Sequence, residues 1–428
     1  MRRVCAKAAA LIAIALFLDG TLHAESGPTS LNEAALPKIS GTELFPMDSK
    51  LEPRVRFWVN IYARYHSWET LLVDIRNPQV VFSIVNTKER PGVLALEKRK
   101  LSLHLRSLSE KWSAIEQGKL RRSSLKGPEL ALLEVFEKAG LQKEIRSIGQ
   151  DPAKRIRAQN GLRDTLEDSL FVSGKYLPRI EALFSRFSLP TEIAYLPFVE
   201  SGFNKHAVSK VGASGIWQFM PYTGKLYLRI DDVVDERNDP MRAAEAAARL
   251  MKQNYDVLGD WPLAITAYNH GTTGVARVAR EVGSRQISEL IEKVENKNFG
   301  FASQNFYACF LAAMHVARNA DSYLGMVPRA NKLEFDEFVM PDYMNIKEFL
   351  SHMEIEESLF RDLNPALTEE VYSGAKLIPV GYIVRVPVES SAAFLLRYEA
   401  IPAPIKFRYQ RNRSEEHTSE LQSRLHLV

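Results

Sequence analysis

The strongest constraint on this chain is a run of helix punctuation between Asp239 and Asn269. Asp239-Pro240 joins an N-capping carboxylate to a proline at the first helical position, where the missing N–H costs nothing. The Ala-rich stretch MRAAEAAARLMKQNYDVL follows, and alanine is the best helix former. Gly259 stops that helix, and Asp260 caps the next, WPLAITAYN. Chain that starts, stops and restarts helices at this interval must pack short helices against one another. Upstream, Pro190 predicts a helix through TEIAYLPFVE that ends near SGFN. Before it, Leu162, Leu166 and Leu170, then Tyr176, Ile180, Leu183, Phe184 and Phe187, keep the spacing of amphipathic helices.

Residues 161–325 are therefore expected to form an all-α domain. A helical N-terminal region over 51–160 precedes it, broken near PGV at 91–93 and KGPE at 126–129. Residues 332–388 change character. KLEFDEFVM alternates, NIKEFLSHM and SLFRDLNPA predict two short helices, and KLIPVGYIVRVP predicts a closing strand. That is a small βααβ pattern, so the expected fold class is mainly α with a small mixed unit at the end.

The start of the chain, MRRVCAKAAALIAIALFLDGTLHAES, has a basic end, a short apolar stretch and Ala24 at a plausible cleavage point. Its apolar part covers only about 11 residues, too few to span a bilayer. Residues 1–24 are thus expected to be a signal peptide, with a linker over 25–50, and the protein to act in the periplasm or cell envelope. Cys5 precedes the apolar stretch and is badly placed to carry a lipid after cleavage. Only Cys309 then remains, which allows no internal disulfide. Net charge is +4 over the whole chain, too weak to name a partner. The basic cluster KLRRSSLK at 119–126 reads as a solvated helix end. Residues 413–423, RSEEHTSELQS, resemble an in-frame translation of a sequencing-library adapter, so 413–428 are expected to be a non-native tail.

Chemistry concentrates in VESGFNKHAVSKVGASGIWQFMP, residues 199–221. Glu200 ends a helix whose other faces are apolar, surroundings that keep a proton on a carboxyl and suit a general acid. Gly212 and Gly215 allow close approach of a ligand to the backbone. Gln218 offers an amide, and Trp217, Phe219 and Met220 offer apolar walls. AYN, residues 267–269, adds a phenol and an amide at a helix end. An acid, aromatic walls and neutral amides suit an uncharged polar polymer such as a glycan, and do not suit the phosphates of a nucleic acid. Taken singly, each signal is weak: a lone Glu beside an apolar run is more often a paired structural carboxylate.

Order and spacing carry more. Glu200-Ser201, then Gly215-Ile216-Trp217-Gln218, then Ala267-Tyr268-Asn269, resemble the signature of the lytic transglycosylases with a goose-type lysozyme fold. The flanking text LPTEIAYLPFVESGFN, GASGIWQFMPYTGK, DERNDPMRAAEAAARLM and GDWPLAITAYNHG agrees over roughly residues 160–320. The resemblance implies a lysozyme-like catalytic domain with Glu200 as acid and then base. It implies that Ser201, Ser209, Gln218, Met220, Tyr268, Asn269 and Tyr307 contact the substrate, with Tyr268 steadying charge on the sugar. Two departures stand out: His270 follows AYN where a small residue is usual, and Trp217 replaces the commoner Met. SLFRDLNPAL and KLIPVGYIVRVP resemble a LysM module, which holds N-acetylglucosamine chains, with its usual opening degenerate.

Ordinary glycosidases need two carboxylates, and these motifs supply one, since Glu192 and Asp239 read as helix-start residues. The resemblance implies that the sugar's own 6-hydroxyl replaces water and closes a 1,6-anhydro ring. No metal or cofactor is expected. The acidic loop DDVVDERND at 231–239 lacks the Gly and bidentate Glu spacing of an EF-hand. The expected partner is the peptidoglycan glycan strand, with peripheral wall or membrane association and the oligomeric state left open. Two alternatives stay open as well: a hydrolytic muramidase of the same fold, and an inactive wall-binding protein.

Overall fold

The computed structural model describes residues 36–88, 92–294, 297–389 and 391–410. The expected signal peptide and tail lie outside these residues. The chain is mainly α-helical and divides into two compact units, each built from two stretches. The first runs to Phe171 and resumes over Leu250–Arg329; the second comprises Val172–Arg249 and the chain from Ala330. Among the described residues no helix is long and apolar enough to cross a membrane.

In the first unit the helix Glu52–Ala63 packs along the helix Phe301–Arg318. A polar knot ties the two helices together. Arg54 Nη1 and Trp58 Nε1 both donate to Asn305 Oδ1, at 2.9 and 3.0 Å. Arg54 Nη2 donates to the Arg76 carbonyl at 2.7 Å, and burial pushes this guanidinium down to about 10. The stretch 51–160, expected as helical, also holds an antiparallel sheet of β1 (Glu69–Asp74), β2 (Val81–Asn86) and β3 (Ile156–Asn160) in the order β2-β1-β3. Its cause is legible afterwards. Two runs rich in Val, Ile and Leu flank Asn77-Pro78, a turn dipeptide that no helix would hold. Leu105, Leu108, Leu133 and Phe136 from the helices Val93–Glu116 and Gly127–Lys138 close over the sheet. At its edge, buried Arg155 grips Asp74 with two bonds of 2.8 and 2.7 Å.

The second unit carries the punctuation noted in the sequence. Asp239 Oδ1 accepts from the Met241 and Arg242 N–H groups at 2.8 and 3.0 Å and starts the helix Pro240–Leu258. The helix expected through TEIAYLPFVE is instead a 3₁₀ turn, Thr191–Tyr195, followed by the α-helix Leu196–Glu200. Pro197 accounts for the break, because it lacks the N–H that would bond the Ile193 carbonyl one turn back. Toward the C-terminus, β4 (Asp336–Val339) pairs antiparallel with β6 (Ile383–Val386). Helices Ile346–Met353 and Glu357–Leu363 lie between them in sequence, which is the expected βααβ order, with a further short helix at Glu369–Tyr372. The pattern continues past 388 into the helix Ser391–Ala400. A two-residue strand β7 (Lys406–Phe407) then pairs with β5 (Tyr343–Met344). Phe349, Phe360, Ile378 and Val384 form the core of this part, and Val233 and Val234 from the acidic loop are buried in the same cluster.

Candidate active site

Glu200 is the last residue of the helix Leu196–Glu200 and is 9 % exposed. The chain turns immediately after it through two left-handed residues, Gly202 (φ 62°) and Phe203 (φ 56°). A bulky residue rarely tolerates that conformation, so something must impose it. Phe203 is fully buried, its ring stands edge-on to Phe198 at 4.7 Å, and its N–H reaches back to the Pro197 carbonyl at 3.2 Å. The buried ring holds the turn and leaves Glu200 at its lip. Ser201 Oγ then donates to the Ile216 carbonyl at 2.9 Å, fastening this turn to the GASGIWQF segment.

That segment is an irregular loop closed on itself. Ser209 N–H donates to the Ala213 carbonyl at 2.7 Å, and Ser209 Oγ accepts from the Ala213 N–H at 2.9 Å. Gln218 is another non-glycine residue in the left-handed region (φ 48°). Its Nε2 donates to the carbonyls of Ala207 and Gly215, both at 2.9 Å. Trp217 and Phe219, expected as apolar walls, are 0 % and 2 % exposed. Trp217 stacks on Phe184 at 5.7 Å and so anchors the loop from inside; Met220 is only half-buried. Gly215 also differs from expectation. A Cβ there would sit 1.8 Å from the Arg237 carbonyl oxygen, so the close approach it permits is to the protein's own backbone. At Gly212 a Cβ would meet only the Pro221 ring, at 3.7 Å, and its φ of 85° is the requirement.

The acidic loop stands behind this segment. Asp231 Oδ1 accepts from the Val233 and Val234 N–H groups at 2.9 and 2.8 Å. Asp235 takes Arg237 Nε and Nη2 at 2.9 and 2.6 Å, and Asp239 takes Arg385 Nη1 at 2.6 Å. These carboxylates are internal clamps. Among the described residues no three His, Cys, Asp or Glu side chains converge as a metal site requires. Lys205, five residues past Glu200, donates to the Asp362 carboxylate and, at 3.0 Å, to its carbonyl; Lys175 adds a contact to the same carboxylate at 3.4 Å. Burial alone would raise the Asp362 carboxyl, but bonding and charge from Lys205 and Lys175 hold it below its ordinary value.

Glu200, Ser201, Ser209, Gln218 and Met220 thus share one stretch of the second unit. Tyr268, Asn269 and Tyr307 belong to the first. The helix Trp261–His270 carries Tyr268 and Asn269 on its last turn and is capped by Asp260, whose Oδ1 accepts from the Leu263 N–H at 2.9 Å. Ser303 Oγ donates to Asn269 Oδ1 at 3.2 Å and lies 3.0 Å from His270 Nδ1. A hydroxyl has one proton to give, so His270 must donate to Ser303 as the Nδ1–H tautomer. Burial, then the charge of Arg277, lowers the His270 imidazole below its ordinary value and so favours the neutral ring. The unusual histidine after AYN therefore steadies Asn269 through Ser303. Tyr307 is 1 % exposed, and its hydroxyl donates to the Pro46 carbonyl at 2.9 Å; the structure gives this phenol a place in the core.

Sequence reasoning missed Arg237 and Asp362. The first was visible only as an arginine two residues after an aspartate, the second as one carboxylate among many.

Residues 180–291 match the Transglycosylase SLT domain. Over 130 residues the chain is 35% identical to Membrane-bound lytic murein transglycosylase D of Escherichia coli (strain K12), covering 29% of this chain and 29% of that one. The chain thus spans less than a third of the length of this curated relative. Among solved structures, lytic transglycosylase Slt from Pseudomonas aeruginosa is similar at 16% identity and a TM-score of 0.27, over 46% of this chain and 29% of that one. The 70 kDa soluble lytic transglycosylase of Escherichia coli is similar at 18% identity and a TM-score of 0.26, over the same shares. The chain carries an SLT transglycosylase domain.

Proposed function

We propose that this protein cleaves peptidoglycan glycan strands as a lytic transglycosylase, with Glu200 as the acid and then the base. The observation that carries this reading is a coincidence of position. The SLT match over 180–291 contains a buried glutamate at a helix end, followed by a turn and a loop that tertiary contacts fix in otherwise unfavourable backbone conformations. The cell-envelope setting has the expected signal peptide and the membrane-bound relative in its support. The LysM-like reading of 332–388 has only the βααβ order in its support.

In the proposed reaction, protonated Glu200 gives its proton to the glycosidic oxygen between N-acetylmuramic acid and N-acetylglucosamine, and the C1–O bond breaks. The 2-acetamido oxygen supports the cationic C1. The Glu200 carboxylate then takes the proton of the 6-hydroxyl as that oxygen bonds to C1, which returns Glu200 to its starting state and consumes no water. A held intramolecular hydroxyl reaches effective molarities on the order of 10⁵ M or more, beyond what water supplies. This chemistry needs one carboxylate. Ser209, Gln218 and Met220 are assigned to the sugar and peptide contacts, and Tyr268 and Asn269 are assigned by their place in the matched segment.

Mass spectrometry of the soluble products from purified sacculi tests the reading. Muropeptides with 1,6-anhydro ends, one water lighter than the hydrolysis products, are expected. Reducing ends would replace the reading with a hydrolytic muramidase, and intact sacculi would leave a wall-binding protein.

A further inference from the structure

The acidic loop 231–239 takes no part in the proposed reaction, yet its bonds lead from the C-terminal part of the second unit to the segment that carries Gln218. At one end, Val233 and Val234 are buried among Phe349, Phe360 and Val384. The Asp235 N–H donates to the Ala366 carbonyl at 2.7 Å, the Thr368 N–H donates to the Val233 carbonyl at 3.0 Å, and Thr368 Oγ1 donates to the Asp232 carbonyl at 2.6 Å. At the other end stands Arg237, itself buried. Asp235 occupies its Nε and Nη2. Its Nη1 donates to the Gly212 carbonyl at 2.7 Å and to the Phe219 carbonyl at 3.2 Å. Those two carbonyls bracket the loop residues 213–218. Gly215 lies directly on the Arg237 carbonyl, and Ser214 Oγ donates to Asn238 Oδ1 at 2.6 Å.

We propose that Arg237 is a positioning residue for the substrate-facing loop 207–220, and that residues 366–368 set it through Asp235. The role given to this loop rests on the transglycosylase reading. A guanidinium suits the task because its planar fork meets a carboxylate with two nitrogens and leaves the third for carbonyls; a lysine ammonium is a point charge without that geometry. The C-terminal part then acts as a brace for the loop. Glu200 sits on its own helix and meets the loop through Ser201, so Arg237 governs how substrate is held more than how the proton moves.

The test uses the full protein and two variants that keep size and polarity, Arg237→Lys and Asp235→Asn, with two independent readouts. Amide hydrogen exchange over 207–220 is expected to rise about tenfold in both, the loss of roughly one buried charge-assisted bond, while exchange within 244–256 stays at the wild-type rate. On soluble glycan fragments KM is expected to rise by about the same factor, with the pH dependence of kcat unmoved. Unchanged exchange over 207–220 overturns the proposal, whether or not the protein cleaves peptidoglycan. An equal rise over 244–256 also overturns it, because Arg237 would then be a general stability element. If wild-type protein yields no anhydro products, the transglycosylase reading fails, and the exchange pattern still decides whether Arg237 sets the loop.

Discussion

The loop 201–220 and the helix Trp261–His270 carry their functional side chains by opposite means. The helix has its length set by its own residues. A proline at its start, an aspartate cap and a glycine at its end set its length, and Tyr268 and Asn269 fall on the last turn as a matter of register. The loop has no such frame. Phe203, Gly212, Gly215 and Gln218 all hold positive φ values, and each is tied down by its own contact: Phe203 by the Phe198 ring, Gly212 through its carbonyl by Arg237, Gly215 through its N–H by the Ala207 carbonyl, and Gln218 by the carbonyls of Ala207 and Gly215. A helix tolerates small losses because its bonds are many and alike. A loop fixed by a few unlike contacts fails when one of them goes.

The largest effect expected is on chemistry. Glu200→Gln keeps the size of the side chain and removes the proton, so activity on sacculi should fall by about 10²–10⁴, the usual worth of a positioned acid–base group. Melting temperature should stay close to that of the wild type. Loss of stability with activity retained would turn Glu200 into a structural carboxylate and leave the loop without a function to position.

Next comes Gly215→Ala. The added methyl meets the Arg237 carbonyl at 1.8 Å, and φ at 76° is already unfavourable for alanine. Either the loop or the 235–238 turn must move, at about 3 kcal/mol or more. Denaturant unfolding reads the cost. A loss below about 0.5 kcal/mol, within the range of ordinary surface substitutions, would mean that the loop is as tolerant as the helix and would erase the contrast.

The same contrast explains what could be read from the sequence. Local chemistry was legible. Asp239-Pro240, Gly259 and Asp260 mark helix ends because capping uses groups within a few residues of each other, and the structure has those caps. The βααβ order after 332 was also legible, from alternation and turn residues. Three things were not. The sheet β1–β2–β3 was hidden because β3 lies more than eighty residues from its partner β1, as in the pair Asp74 and Ile156, and no local pattern reports pairing at that distance. Trp217 reads as an apolar wall for a ligand, but packing on Phe184 takes it into the core. Arg237 is the plainest case: beyond Asp235, its partners are two backbone carbonyls that any residue type supplies, so no sequence motif marks them.

On the helical side, Asp260→Ala removes the Leu263 cap and should cost about 1 kcal/mol, less than the single methyl at Gly215. Tyr268 and Asn269 lie at the other end of the helix, so activity should be nearly unchanged at temperatures well below unfolding. Unfolding curves and product release from sacculi, measured on one preparation, check both halves. A large activity loss without a matching stability loss would mean that the cap reaches the site, and the helix would then resemble the loop.

The smallest effect has a sign that pH reveals. Asp362 joins Lys205, five residues beyond Glu200, to the C-terminal part of the unit, and its carboxyl is held below its ordinary value. A carboxylate favoured in the folded state binds protons less readily there than in the unfolded chain, so it stabilises the fold above the unfolded value of about 3.9. That contribution disappears as pH falls through the lower folded value. Because the side chain is 35% exposed, solvent screening limits the pair to at most about 1 kcal/mol. Asp362→Asn should therefore be less stable than wild type by up to that amount at pH 7, and the two proteins should converge as pH drops below 4. A gap that persists unchanged to pH 3 would mean that Asp362 acts through its neutral hydrogen bonds and not its charge.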